Sequence, residues 1–132
     1  MSDAYASERF REALHIFQAL EAKLRKNLQG VEGKEIEAVL IDLRAAIPGL
    51  DGEELGRALV FKAYVTLWLN TTEMVKRRRF LYDPSAPVAP RLIEALGDAR
   101  RGRGLLRDGD DTKWADATIE KLEGYAQRDG TG

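Results

Sequence analysis

The side chains best equipped for chemistry are arginines, and they are concentrated in one stretch. Between positions 76 and 107 stand Lys76, Arg77, Arg78, Arg79, Arg91, Arg100, Arg101, Arg103 and Arg107, against only Asp83, Glu94 and Asp98, for a net charge of +6. The residues before this stretch carry −3 and those after it −4, giving −1 for the whole chain. Guanidinium groups fork around phosphate or carboxylate oxygens, where an ammonium supplies only a point charge. A row of them suits the backbone of a nucleic acid, which gives affinity without sequence reading. Phe80 and Tyr82, at one end of the row, are candidates for stacking on unpaired bases.

Other uses of the same residues stand beside this one. Cations near the end of a long helix suit its dipole, and a charge run is commonly a solvated face. The acidic segment 108–132 is able to lie on the row and neutralise it. A partner's acidic helix or tail would also satisfy the arginines, through its carboxylates.

No catalytic set converges in the sequence. There is no cysteine, which excludes disulfides, thiol catalysis and thiolate metal sites. His15 is the only histidine and sits beside an apolar helix face. Asp108-Gly109-Asp110-Asp111 resembles the start of a cation loop, but Ile119 stands where an EF-hand needs Glu; Asp110 or Asp111 is expected to cap a helix instead. Gly102-Arg103-Gly104 lacks the preceding strand and the later glycine of a dinucleotide loop. The pairs Glu32 with Glu35 and Glu53 with Glu54 suit helix starts. No metal, cofactor or catalytic residue is assigned, and the chain is not expected to be an enzyme.

The elements that must position the arginines are all helices. Ala58 to Leu69 is apolar except at Lys62 and Thr66, and Asn70, Glu73 and Arg77 continue that thin polar line. A helix apolar on nearly every side belongs at the centre of a bundle. It is expected over 52–81, roughly 45 Å long, so that it overhangs the body or bends. Before it, Phe10, Leu14, Phe17, Leu20, Leu24 and Leu28 mark a first helix over 4–29. Ile36, Val39, Leu40, Leu43 and Ile47 mark a second over 34–46, stopped by Pro48-Gly49. Asp51, with Glu54, forms a start signal for the third helix.

After it, Asp83, Pro84, Pro87 and Pro90 fall in an extended connector over 83–90. A fourth helix over 91–106 carries Leu92, Leu96, Ala99 and Leu106, and its glycines suggest an end near Arg101. A fifth over 112–127 carries Trp114, Thr118, Leu122 and Tyr125, ahead of a frayed tail at 128–132. Trp68, Trp114, Tyr64 and Phe61 are expected in the core. With the third and fourth helices antiparallel, Arg91 would lie beside Lys76 to Arg79 and the rest would extend as a stripe.

Residues Arg9 to Phe17 resemble the second helix of a tetratricopeptide repeat, although no 34-residue period accompanies them. In size and all-helical layout the chain is similar to the small helical subunits of multi-subunit CRISPR effectors, and no motif underlies that likeness. The expected fold is therefore all-α, a single five-helix domain over 1–132 around a long central third helix. Its expected role is that of a non-catalytic subunit in a larger assembly, touching a nucleic-acid backbone through 76–107. The alternative is a helical-repeat-like adaptor for an acidic protein segment. No apolar leader or bilayer-length segment is seen, so a cytoplasmic location without membrane partners is expected.

Overall fold

The computed structural model describes residues 2–76 and 90–130, without the side chains of 74–76 and 126–130. Arg77, Arg78, Arg79, Phe80, Tyr82 and most of the proline connector lie outside the described residues, as does the side chain of Lys76. The described chain forms α1 (Ala4–Lys26), α2 (Gly33–Ala46), a short 3-10 turn (Ile47–Gly49), α3 (Gly52–Lys76), α4 (Pro90–Leu105) and α5 (Asp110–Gly130). No strand occurs among the described residues, and no helix among them is long and apolar enough to cross a membrane.

Local chemistry explains the boundaries. Asp3 accepts a hydrogen bond from the Tyr5 N–H at 3.0 Å and starts α1. The helix stops before the expected 29 because Asn27 leaves helical geometry and its side chain accepts from the Gln29 N–H at 3.0 Å. The Glu32 N–H donates to Glu35 at 2.9 Å, so this acid pair serves the start of α2. Gly52, with φ of 59°, turns the chain into α3 through a conformation that costs a side-chain-bearing residue dearly. Glu54 accepts from Ser7 Oγ at 2.6 Å, and the Asp51 N–H donates to Ser2 Oγ at 3.0 Å, which ties the start of α1 to the start of α3.

The third helix is central. Of its described 25 residues, spanning about 38 Å, one side packs with α1 and α2 and the other with α4 and α5. Phe61 meets Phe10 and Phe17 of α1 at ring-centroid distances of 6.3 and 5.6 Å. Fully buried side chains such as Phe17, Leu24, Ile36, Leu43 and Leu122 each contribute about 1.5–3 kcal/mol through burial.

Two glycines set the α3–α4 distance. A Cβ on Gly102 would stand 2.6 Å from the Gly56 carbonyl oxygen, and one on Gly56 would stand 2.8 Å from that of Gly102. The expectation that glycine ends α4 near Arg101 is corrected here: Gly102 is buried against α3, and this packing carries the helix on to Leu105. Asp110 and Asp111 lie inside the first turn of α5 rather than before it, and the Thr112 hydroxyl folds back to Gly109. The tail is shorter than expected, since α5 continues through Gly130.

Candidate functional site

The described arginines of the row lie along α4, which runs antiparallel to α3, and just beyond it at Arg107. Arg91 forks onto both carboxylate oxygens of Glu73. At the opposite end of α3, Arg107 Nε lies 2.9 Å from Glu53. Between them Arg100 reaches Glu123 at 3.3 Å and Arg103 reaches Asp116 at 2.8 Å, both on α5. Arg101 is exposed and makes no ion pair among the described residues. Four of the five described arginines are thus satisfied by the domain's own carboxylates. Exposed pairs of this kind are individually weak, but each sets a carboxylate beside a guanidinium that a polyanion would otherwise meet alone.

Two hollows flank α3, because α1 does not touch α5, and α2 does not touch α4, along their described backbones. The smaller, about 190 Å³, lies between α2 and α4. The polar line of α3 forms its floor. Lys62, only 8 % exposed, donates to Asp98 at 2.7 Å and approaches Glu94 at 3.5 Å. The Thr66 hydroxyl donates to the Lys62 carbonyl at 2.8 Å. Glu37 and Arg44 of α2 stand on the opposite wall.

The larger hollow, about 860 Å³, is an open trough between α1 and α5 with α3 as its floor. Leu67, Trp68 and Tyr64 line the floor, and Ala117 and Gly124 keep the α5 wall low. Arg25 stands on the α1 side, 5.9 Å from the centre of the Trp68 ring, and Lys121 on the α5 side. Trp114, one turn before Ala117, packs on Tyr64 at 5.8 Å and on Phe61 at 6.4 Å, where the trough ends. The Tyr64 hydroxyl donates to Glu21, which also pairs with Arg25 at 3.3 Å. Burial, reinforced by Glu21, raises the Tyr64 phenol above its usual 10.0, so it keeps its proton and its role as donor.

Trp68 and Tyr64 were expected in the core, and each does have one side there; the other side forms the trough floor. Thr71, Ala117 and Gly124 carry no chemical signal of their own. Their one trace in the sequence is the spacing of Ala117 and Gly124, seven apart and so on one face of α5, next to Tyr125. The arrangement suits apolar contact flanked by charge, and among the described residues no group of three His, Asp or Glu could hold a metal. Comparison of the chain with protein-family models, with curated proteins and with solved structures finds no match to any of them.

Proposed function

We propose that this domain is a non-catalytic docking subunit of a larger assembly, and that its working surface is the trough between α1 and α5, which receives a protein segment. The observation that carries this reading is the trough itself: an open, largely apolar floor on the central helix, with small residues on the α5 wall, Arg25 on the α1 rim and Glu120 and Lys121 on the α5 rim. Apolar grooves of this kind accept the apolar face of a partner helix. The internal pairing of Arg91, Arg100, Arg103 and Arg107 supports it, because these four guanidiniums are already matched by the domain's own carboxylates.

The test compares two variants in affinity capture from the native cell. Gly124→Leu adds bulk to the trough from a position where a Cβ meets nothing within 4 Å. It is expected to lose a stoichiometric protein partner that wild type retains after nuclease treatment. A triple Glu exchange at Arg100, Arg103 and Arg107 is expected to keep that partner. The reverse pattern would overturn the proposal.

A second reading keeps the nucleic-acid backbone as partner, held by Lys76, Arg77, Arg78 and Arg79 together with Arg101. What favours it is the exposure of Arg101 and of Arg107, whose side chain is 91 % exposed despite its pair. Titration of labelled single- and double-stranded RNA and DNA at several salt concentrations separates the two. Salt-dependent binding abolished by Glu at Arg77, Arg78 and Arg79 would establish this second reading.

A further inference from the structure

The trough has a direction. Along α1 and α3 the contacts advance together: Phe10 with Phe61, Phe17 with Tyr64, Arg25 with Trp68. Along α5 and α3 they do the same, with Asp111 paired to Arg57 and Trp114 packed edge-on against Tyr64. All three walls therefore run parallel, and the aromatic group around Trp114 closes the end nearer their N-termini. At the opposite end, open among the described residues, α1 finishes with Lys23, Arg25 and Lys26 in its last turn, and Glu21 one turn earlier pairs with Arg25 at 3.3 Å.

Resting on the docking reading above, we infer that the trough takes a single amphipathic helix of a partner protein, antiparallel to α3, with an acidic first turn beside Arg25. Two independent physical effects give this orientation. Helix dipoles favour an antiparallel neighbour over a parallel one, and here three parallel helices act together. Acidic residues also concentrate in the first turn of a helix, and an antiparallel partner brings that turn to the cations of α1.

The floor from Tyr64 to Thr71 spans about 10 Å, so roughly two turns are held. Apolar residues three or four apart on the partner would rest on Leu67 and Trp68, with its backbone close to Ala117 and Gly124. A nucleic-acid strand fits less well. Arg25 already covers the Trp68 ring, and Tyr64 is packed edge-on against Phe17 and Trp114, so neither aromatic ring of the floor offers a free face to a base.

The experiment selects binders from a display library of helical peptides with randomised surface positions. Recovered peptides are expected to carry apolar residues at helical spacing and Asp or Glu in the first turn. They are expected to bind at least about tenfold more weakly to Gly124→Leu, Trp68→Ala and Arg25→Glu, with Gly124→Leu serving as the variant that leaves the core intact. Because the chain lacks cysteine, single-cysteine variants Gln29→Cys and Lys113→Cys mark the open and closed ends for spin labelling. A label on the peptide N-terminus is expected nearer position 29 than position 113. The opposite order, or binders without acidic first turns, overturns this inference and leaves the docking reading standing. Recovery of no peptide sensitive to Gly124→Leu overturns both, and so does single-stranded oligonucleotide binding that this substitution abolishes.

Discussion

The two hollows beside α3 have opposite chemistry. Toward α2 and α4 the floor is charged and is answered from within, Lys62 by Asp98 and Glu94, and Glu73 by Arg91. Toward α1 and α5 the floor is mostly aromatic and aliphatic, and Ala117 and Gly124 keep the α5 wall low beside Glu120, Lys121 and Tyr125. A buried charge has to be matched inside the fold, because leaving it alone is costly. An apolar floor carries no such demand and is free to be matched by another molecule. On the proposed reading, the polar side chains of the central helix mark internal pairing, and the less conspicuous apolar side is the docking surface.

Substitutions on the two sides separate structure from docking. The largest effect is expected from Gly102→Val, which forces side-chain atoms against the Gly56 backbone and should cost about 3 kcal/mol, read from the urea midpoint. A loss below about 1 kcal/mol would mean that α4 does not bear on α3 so closely. Next comes Lys62→Ala, which strands Asp98 and should cost about 2 kcal/mol. Combining Lys62→Met with Asp98→Leu should return stability to within about 1 kcal/mol of wild type. Peptide binding in that double variant should be unchanged; if it falls, the charged hollow takes part in docking and the contrast fails.

Trp68→Ala should cost about 1–2 kcal/mol in stability, since the ring is only half in the core. Its loss of peptide affinity should be the greater effect. A smaller signal is expected from Tyr64. Its phenol is raised in the folded state, first by burial and then by Glu21, so its contribution is fully present below the unfolded value near 10 and is lost as pH rises through the folded one. Melting temperature followed through that alkaline range should fall more steeply in wild type than in Tyr64→Phe. Smallest of all, Arg103→Gln should change stability by less than about 0.5 kcal/mol, because the pair with Asp116 is exposed.

Most of the architecture was legible because apolar spacing survives packing. Phe10, Phe17 and Leu24, then Val39 and Leu43, then Leu92, Leu96 and Ala99 are all buried on the faces their periodicity marks. The errors came from contacts that apolar spacing does not record, some local and some between distant residues. Gly102 weakens a helix in isolation, yet against Gly56 it is what allows α4 to approach. Asn27 ended α1 through a local hydrogen bond that hydrophobic spacing does not record. The trough was hidden for the same reason, since it needs Arg25, Leu67 and Ala117, residues from three segments, to be brought together. Charge, by contrast, was easy to count and hard to interpret: the carboxylates that meet Arg107 and Arg91 lie 54 and 18 residues away in the chain.

The contact between Gly56 and Gly102 has a reach beyond its own seam. The fifth helix is held more extensively by α4 than by α3. Spreading those two backbones by the thickness of a methyl group would therefore carry α5 outward like the far end of a lever. The width of the trough over Trp68 would then follow a pair of residues that do not line it.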